Sequence, residues 1–480
     1  MIGIKTRVLY GTGGAVYAVK EAAFSTFVLL FYTQVLGLSG SVTGIVLSAA
    51  LIWDGLTDPL VGSWSDRLQS KYGRRHPFIA LSVVPLGLGF IGLFSPPADI
   101  IEDSTLLTGW LLFWTLWIRT FLTTFAIPHL ALSGDISTDY QERNKVMGAR
   151  MIFIFLFSLL LPALGLLLIF PEEGGIDGRF VVTNYPVYGL VSCAVVWVMG
   201  IIATVGTRQH IKSSLPEDNG ALKQPQMGLK TLFSDLFRTL KNKTFRNLLK
   251  YEVAAMVAWG TMSALNILAW TYYWEFSATE VSLILALPSL LAIGLVMFTL
   301  GPISKRFEKH QQLRVALIVM ILDLLWLYPL KLFGFLPEDS PGLDFFLNFI
   351  FMVVFIYCYL FRAISSYSII SDISDEHEWN YGVRQEAGFF AVMNFIAKFS
   401  LIIGPIYAGI ALDVIDLTQG VLPGAVPLET QNGLVYAMGI GVLPALLFAV
   451  YFVGRLKLGR AQVEDYQERL KARSEQRSGA

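Results

Sequence analysis

Long apolar segments recur along the whole chain and limit what it can fold into. A helix needs about 20 apolar residues to cross a bilayer, and about twelve segments reach roughly that length. Only 15% of the 480 residues are charged, and the mean hydropathy is +0.59. The predicted spans are 8–36, 41–65, 77–96, 106–131, 146–170, 182–206, 247–274, 278–302, 312–334, 343–373, 385–413 and 432–456. The sequence therefore predicts an all-α membrane protein that is embedded in a lipid bilayer.

Positive charge is concentrated in alternate loops between these segments. The basic loops contain Arg67, Lys71, Arg74, Arg75, Arg143, Lys145, Lys305, Arg306, Lys309 and Arg314. The loops at 37–41, 97–105 and 413–431 contain neither lysine nor arginine. Since cytoplasmic loops carry the excess of these residues, both termini are predicted to be cytoplasmic. The first segment is too long and too polar for a cleaved signal sequence, so we expect a multi-pass protein of the cell (inner) membrane.

A charged segment at 207–246 divides the predicted spans into two sets of six. We expect an N-terminal bundle over 1–206, a C-terminal bundle over 247–456 and a cytoplasmic tail over 457–480. The halves carry similarly placed charged loops, as expected for pseudo-symmetric bundles that rock around a central site. Apolar residues at helical spacing in the middle segment predict an amphipathic helix on the membrane surface. These residues are Leu229, Leu232, Phe233, Leu236, Phe237 and Leu240.

Two acidic residues lie inside the second predicted span. Asp54 and Asp58 are one helical turn apart in an otherwise apolar segment, with Thr57 between them. A carboxylate at the centre of a bilayer costs about 2.5–3.5 kcal/mol on insertion scales, so such residues usually serve a function. Residues four apart project from one face of a helix, and their oxygens suit a small hard cation. The pair indicates a coupling-ion site, and packing against a buried Lys398 is the alternative explanation.

The composition argues against several other classes of protein. Lys and Arg together number 36, as do Asp and Glu, and this zero net charge argues against a nucleic-acid partner. Cys193 and Cys358 are too few for a disulfide framework or a metal site. No arrangement of catalytic serine, histidine and aspartate stands out. We therefore expect no enzyme activity, no cofactor and no metal beyond a possible Na⁺. We also expect the protein to function as a monomer.

Four motifs resemble those of one transporter family. They are WDGLTDPLVGSWSD at 53–66, KYGRRHPF at 71–78, DYQER at 139–143, and GVRQEAGFF at 382–390 followed by Lys398. Together they resemble the glycoside–pentoside–hexuronide:cation symporters, of the melibiose permease type, across essentially the whole chain. The resemblance implies the major facilitator fold and the symport of a small molecule, a sugar in this family, with a cation.

The resemblance also implies roles for individual residues. It places the cation site on Asp54, Thr57, Asp58 and Thr123, with Na⁺ or H⁺ as the coupling ion. The family also has asparagine at the position of Thr57, so this departure keeps an oxygen ligand. Lys398 matches a lysine that would balance the carboxylates once the cation has left. The two sugar-binding aspartates of melibiose permease are replaced here by Ala18 and Ala126.

Polar residues near the predicted cavity are candidates for binding the substrate. They are Lys20, Glu21, Arg119, His129 and Arg150. Glu21 lies three residues after Ala18 and is a candidate replacement for one lost acid. Losing acids while keeping cations raises the potential of the cavity, which favours an acidic sugar such as a hexuronide. Internal pairing of the cations with a neutral glycoside as substrate, and a packing role for His129, remain open alternatives.

Charged residues at the predicted cytoplasmic helix ends form a candidate gate. They are Asp66, Arg74, Arg75, Asp139, Arg143, Asp375, Arg384 and Glu386. Charge-assisted hydrogen bonds among them are expected to close the cytoplasmic side and to break when the protein opens inward. Topology alone explains lone lysines in these loops, but it does not explain the combinations of Asp and Arg.

Three classes of function are compatible with the sequence. The leading hypothesis is import of a glycoside, oligosaccharide or uronide by symport with Na⁺ or H⁺. The second keeps the cation site but moves a lysolipid or another amphiphile, which requires a wide apolar lateral opening. The third is a membrane enzyme or a transport-inactive sensor, in which the intact cation motif would have no explanation.

Overall fold

The computed structural model describes most of the chain. The described residues are 2–137, 139–172, 174–211, 239–337, 340–382, 386–417, 420–456 and 458–478. Within these ranges the protein is helical and contains no β-strand. Twelve of the described helices are long and apolar enough to cross a membrane. The predicted all-α membrane fold is therefore confirmed.

The spanning helices are numbered in chain order. They are α1 Ile4–Val35, α2 Gly40–Arg67, α3 His76–Phe94, α4 Ser104–Ile136, α5 Gln141–Leu168, α6 Asn184–Gly206, α7 Lys243–Tyr273, α8 Ala278–Arg306, α9 Lys309–Leu332, α10 Gly342–Tyr381, α11 Gly388–Val414 and α12 Leu428–Val453. A charged helix, α13, covers Arg460–Ser478. Each predicted span corresponds to one of the twelve. α10 continues past its predicted end at residue 373 because the polar residues that follow stay helical until Gly382, whose φ of 72° ends the helix.

The first and seventh helices end in the same unusual backbone geometry. Each widens into a π-helical turn, over Phe31–Val35 in α1 and over Ala269–Tyr273 in α7. Shortly after each of these helices the backbone has a residue with positive φ, Gly37 (79°) after α1 and Glu275 (55°) after α7. Such turns are rare in helices. Their recurrence at the first helix of each set of six is expected of a fold built from two repeats.

The outer surface of the spanning helices is apolar. Met297 and Phe298 on α8 are 77% and 82% exposed, and Leu81 on α3 is 74% exposed. Large exposed apolar surfaces are unusual in soluble proteins. They are expected here because the helices satisfy their own backbone groups and present side chains to lipid.

Two glycines allow α1 to approach its neighbours closely. A Cβ at Gly14 would lie 2.4 Å from the backbone oxygen of Arg150 on α5. A Cβ at Gly13 would lie 2.3 Å from Nε2 of His129 on α4. Close contact through small residues is a common way for membrane helices to associate. It brings Arg150 and His129, both predicted to bind substrate, against α1.

The described chain forms two compact units. The first contains residues 2–211, Ser263–Leu285 and Pro405–Leu434. The second contains residues 239–262, Ala286–Gly404 and 435–478. The boundaries cut α7, α8, α11 and α12, because one end of each of these helices groups with the first unit. The predicted bundles over 1–206 and 247–456 stay a prediction.

In the first unit, one aspartate caps a helix from another helix. Asp413 on α11 accepts hydrogen bonds from the backbone N of Gly40 (2.8 Å), the backbone N of Ser41 (2.9 Å) and the hydroxyl of Ser39 (2.9 Å). A carboxylate at a helix N-terminus satisfies amides that lack partners and interacts favourably with the helix dipole. The helices touch here, since a Cβ at Gly409 would lie 2.1 Å from the backbone oxygen of Gly40.

A buried arginine joins the loop before α6 to α7 in the same unit. The Arg179 side chain is fully buried, and its Nε and Nη2 bond to the carboxylate of Asp177. Its Nη1 donates to Oγ1 of Thr271 at 2.7 Å, and its Nη2 donates to the backbone oxygen of Phe276 at 2.6 Å. The five fixed donors of a guanidinium suit such a junction. Sequence reasoning had not singled out Arg179.

In the second unit, α13 packs on the end of α10. Gln467 donates a hydrogen bond of 2.8 Å to Asp375, and the guanidinium of Arg469 lies 5.5 Å from the ring centroid of Trp379. The helix predicted from the apolar spacing at 229–240 lies outside the described residues, apart from 239 and 240.

Candidate cation and substrate site

The predicted acidic pair on α2 faces α4 within the first unit. Asp54 forms an ion pair with Arg119, and one turn further Oγ1 of Thr123 donates a hydrogen bond of 2.9 Å to Oδ1 of Asp58. The two contact residues on each helix are four apart, so two successive turns of α2 meet two successive turns of α4. The two helices run in the same direction. Three of the four predicted cation ligands are therefore brought to one interface.

This interface has oxygen atoms that suit a cation. Oδ1 of Asp54 is buried and has no hydrogen-bond partner in the described part of the chain. Buried polar atoms usually have a partner, so an unsatisfied carboxylate oxygen is consistent with a ligand position. Thr57 is half-buried, and its hydroxyl donates to the backbone oxygen of Trp53 at 2.9 Å. The lone pairs of that hydroxyl remain able to accept a ligand.

The residue that pairs with Asp54 is Arg119, one of the predicted substrate-binding residues. Arg119 is 4% exposed, and its guanidinium lies 5.2 Å from the ring centroid of Phe24. A guanidinium over an aromatic face is a favourable cation–π contact. The sequence did carry a signal for the pairing, because Arg119 and Thr123 repeat the four-residue spacing of the two aspartates.

Lys20 and Glu21 pair with each other on α1. The Lys20 side chain is buried, and its ammonium lies 4.9 Å from the ring centroid of Tyr17. The Glu21 side chain is 42% exposed, and both residues interact electrostatically with Arg119. The ion pair of Lys20 with Glu21 agrees with the alternative in which the cations of this region pair within the protein. Substrate binding by either residue stays a prediction.

His129 has the surroundings of a packing residue. It is 1% exposed, its Nε2 lies 3.1 Å from the backbone oxygen of Tyr10, and its ring stacks on those of Tyr10 and Phe125. Its ring is therefore enclosed by protein groups of α1 and α4. These contacts favour the structural alternative, and a role in substrate binding stays a prediction without direct support.

Arg150 differs from the other cations of this region. It is 8% exposed, and its Nε is buried without a hydrogen-bond partner among the described residues. It forms no ion pair within the described ranges. A buried cation without a counter-ion is costly. Substrate binding by Arg150 stays a prediction.

Part of the predicted cytoplasmic gate forms a cluster inside the first unit. Asp135 forms ion pairs with Arg74 and with Arg75, each at 3.1 Å. Arg75 also lies 3.7 Å from Asp66. Asp135 was not in the predicted gate set, yet it is the residue that connects the two arginines. Arg–carboxylate contacts of this kind provide both charge and geometric specificity.

Two other predicted gate residues lie at the start of α5. The Asp139 side chain accepts a hydrogen bond of 2.8 Å from the backbone N of Glu142, so it caps this helix. Arg143 is exposed. Capping accounts for the position of Asp139 without a gating role. Gating by either residue stays a prediction.

The remaining predicted residues belong to the second unit. Asp375 accepts a hydrogen bond from Gln467 of α13, and Glu386 accepts a hydrogen bond of 3.2 Å from Ser371. Lys398 is exposed on α11, and Arg384 lies outside the described residues. The proposed coupling role of Lys398 stays a prediction.

A buried charge cluster lies within the second unit. Arg362 is 1% exposed and lies 3.4 Å from Oε2 of Glu252 and 3.1 Å from the hydroxyl of Tyr251. Ser366 donates to the same Glu252 oxygen at 3.3 Å. Ionisable residues buried within membrane helices are usually paired and functional. This cluster joins α7 to α10.

The fold, with twelve candidate spanning helices in the described residues, is that of the major facilitator type. A mutant of the nucleoside transporter NupG has the same fold, with a TM-score of 0.64 over 95% of this chain and 99% of that chain at 13% identity. The sequence profile described as MFS/sugar transport protein matches residues 9–457. The chain belongs to this family, whose members are transporters.

Three curated relatives are named as symporters. The uncharacterized symporter YnaJ of Bacillus subtilis (strain 168) is 24% identical over 430 residues, 86% of this chain and 83% of the relative. The putative glycoside/cation symporter YagG of Escherichia coli (strain K12) is 27% identical over 167 residues, 35% of each chain. The sodium-dependent lysophosphatidylcholine symporter 1-A of Danio rerio is 31% identical over 147 residues, 30% of this chain and 27% of the relative. These names support the prediction of a cation-coupled symporter but differ in substrate.

Proposed function

We propose that the protein is a Na⁺-coupled symporter that imports a glycoside, oligosaccharide or uronide. The observation that carries the proposal is the cluster in which Asp54 and Asp58 on α2 face α4, where Thr123 bonds to Asp58. Carboxylate and hydroxyl oxygens supply the ligands and the charge that a dehydrated cation needs inside a membrane. We assign Thr57 as a further ligand and Lys398 as the residue that balances the acids after release, on the basis of the family resemblance.

The choice of Na⁺ over H⁺ is supported by the name of one relative. The Danio rerio symporter is described as sodium-dependent, and the part of it that aligns is 31% identical to this chain. A pair of carboxylates can also carry a proton, because two acids in one site oppose each other's ionisation. Uptake driven by a Na⁺ gradient at constant pH, compared with uptake driven by a pH gradient without Na⁺, distinguishes the two ions.

A sugar substrate is supported by the family description and by the glycoside relative. Four of the five candidates for substrate binding have partners within the protein. They are Lys20, Glu21, Arg119 and His129. Arg150 remains as a buried cation without an ion-pair partner in the described ranges, and Ala18 and Ala126 supply no acid. We therefore assign Arg150 to an anionic group of the substrate, as in a hexuronide.

The remaining assignments concern placement and motion. We place the protein in the cell (inner) membrane as a functional monomer with both termini in the cytoplasm. The two predicted bundles would alternate between inward and outward access. In this scheme the cluster of Asp66, Arg74, Arg75 and Asp135 holds the N-terminal part of the cytoplasmic gate.

The test is uptake into proteoliposomes that contain the purified protein. A panel of labelled glycosides and uronides is offered with and without an inward Na⁺ gradient, and we expect gradient-driven accumulation of at least one sugar. Asp58→Asn should abolish this accumulation, because an amide cannot supply the charge that holds the cation. Failure of every sugar to accumulate, or unchanged accumulation in both Asp58→Asn and Asp54→Cys, overturns the proposal.

A second candidate function is Na⁺-coupled transport of a lysolipid. It is favoured by the 147-residue match to the lysophosphatidylcholine symporter. The same proteoliposomes, offered labelled lysophosphatidylcholine, test it directly. Na⁺-driven lysolipid accumulation without sugar accumulation would replace the sugar proposal and leave the cation site in place.

A further inference from the structure

Arg119 occupies the place where the coupling cation is proposed to bind. Its guanidinium forms an ion pair with Asp54, one helical turn from Asp58. We propose that Arg119 is an internal competitor of the coupling cation, which neutralises Asp54 in the empty site and must leave it before Na⁺ binds. The inference rests on the proposed function and specifies how its ion site is controlled.

The contact between Arg119 and Asp54 leaves bonding capacity unused on both sides. Oδ1 of Asp54 and Nε of Arg119 are both buried without hydrogen-bond partners in the described residues. A permanent buried ion pair is stable only when additional hydrogen bonds satisfy the remaining atoms. Arginine can bind a carboxylate with two parallel hydrogen bonds, but Arg119 donates to Asp54 only through Nη1. The pair therefore has the features of an exchangeable contact.

A second carboxylate lies on the helix that the guanidinium already contacts. Glu21 is three residues before Phe24, whose ring centroid lies 5.2 Å from the Arg119 guanidinium, so the two share one face of α1. Glu21 is 42% exposed, although it is already paired with Lys20. A guanidinium that lost Asp54 without gaining a partner would be a buried unpaired charge, which is strongly unfavourable. Movement of Arg119 from Asp54 towards Glu21 avoids this state. The exchange gives the site two arrangements, one with Arg119 and one with Na⁺ on Asp54.

The arrangement lowers the affinity for the cation in a defined way. A ligand that binds only one of two states has an apparent affinity reduced by the population of that state. If Asp54 is free in about one molecule in ten, the apparent affinity for Na⁺ is roughly tenfold weaker than that of the free site. A weakened site releases the ion readily, as a transporter that must unload its cation requires.

The experiment measures binding of radioactive Na⁺ to the purified full-length protein, without substrate. Arg119→Gln removes the competitor, so its affinity for Na⁺ should rise, on the order of tenfold. Arg119→Lys keeps a positive charge at the same position, so its affinity should rise less than that of Arg119→Gln. Glu21→Gln removes the alternative partner, so its affinity should fall.

A second variant keeps the test valid if Arg119→Gln does not fold. Phe24→Leu removes the ring beneath the guanidinium without changing any charge, so Arg119 should hold Asp54 less firmly and Na⁺ affinity should rise modestly. Arg455→Gln, which alters a guanidinium stacked on Tyr451 in the second unit, is the distant control and should change nothing. Equal or weaker Na⁺ binding in folded Arg119→Gln overturns the inference, and so does weaker or unchanged binding in Phe24→Leu when Arg119→Gln cannot be purified.

The outcomes separate this inference from the proposed function. If wild type and Arg119→Gln both bind no Na⁺, the Na⁺ site itself is wrong. If wild type binds Na⁺, Asp58→Asn loses it, and Arg119→Gln binds no more tightly than wild type, the site stands and only the competition is wrong.

Discussion

The guanidinium of Arg179 donates a 2.7 Å hydrogen bond to Oγ1 of Thr271 and thereby joins the loop before α6 to the end of α7. Arg179 is fully buried, and the carboxylate of Asp177 balances its charge. The junction connects two segments that are 92 residues apart in the chain. It involves no residue of the proposed cation site, so it can be tested as a structural element by itself.

We expect Arg179→Ala to destabilise the protein strongly. The substitution leaves the Asp177 carboxylate without its counter-ion and the Phe276 carbonyl without its donor. Breaking a buried pair by removing one member costs about 3–5 kcal/mol. The readout is the thermal unfolding midpoint of the purified protein in detergent. Arg208→Ala is the control because Arg208 is exposed, and its midpoint should stay at the wild-type value. Equal midpoints for the two variants would contradict a structural role for Arg179.

Gly409 is predicted to tolerate no side chain. An added Cβ would lie 2.1 Å from the backbone oxygen of Gly40, so Gly409→Ala must push α2 and α11 apart. We expect a lower unfolding midpoint, together with faster hydrogen exchange of the amides of Gly40 and Ser41, which Asp413 now holds. Gly439→Ala is the matched control because nothing lies within 4 Å of its added Cβ. Protection of the two amides should be unchanged in that control, and unchanged protection in Gly409→Ala would show the prediction to be wrong.

The hydroxyl of Thr123 is predicted to support the cation site. Thr123→Val keeps the shape of the side chain but removes the bond to Asp58, and a net hydrogen bond is worth about 0.5–1.5 kcal/mol. The affinity for Na⁺ should fall by roughly two- to tenfold, as measured by Na⁺ binding to purified protein. Thr115→Val, two turns earlier on α4, is the control because its buried hydroxyl has no hydrogen-bond partner in the described chain. An equal loss of affinity in both variants would point to packing of α4 instead.

Arg150 is predicted to bind the anionic group of an acidic substrate. Arg150→Gln should weaken competition by an acidic glycoside against the transported sugar, on the order of tenfold or more, because a charged hydrogen bond is lost. The matched neutral glycoside should compete almost as well as it does in wild type. Arg150→Lys keeps the charge and should retain part of the preference. If the acidic sugar never competes with wild type, the substrate is a neutral glycoside and Arg150 has another role.

The sequence alone was sufficient for the membrane fold and for part of the ion site. Apolar segments of bilayer length leave the helix as the available structure, and each of the twelve spans in the described residues overlaps a predicted one. The acidic pair at 54 and 58 was recognisable because carboxylates in apolar helices are costly and residues four apart share a face. These inferences depend on local composition and spacing, which need no knowledge of neighbouring helices.

The partners of the charged residues were decided only by the tertiary structure. The packing of α4 against α2 places Arg119 on Asp54, and the predicted contact of Arg119 with substrate stays a prediction. Asp135 connects Arg74 and Arg75 across 60 residues of chain, and no local pattern indicated this. Arg179 lies in a loop with no periodicity, so its burial was not visible from its neighbours in sequence.

The physical reason for this division is the range of the interactions involved. Insertion of a helix into lipid depends on the composition of about 20 consecutive residues, and the chain carries that information locally. Pairing of buried charges depends on which helix faces meet, and the sequence carries that information only through the packing of the whole unit. The sequence of this protein therefore determined its twelve membrane helices and the acids on α2. The tertiary structure decided that Arg119 holds Asp54, because a buried charge takes the nearest counter-ion that the packed helices present.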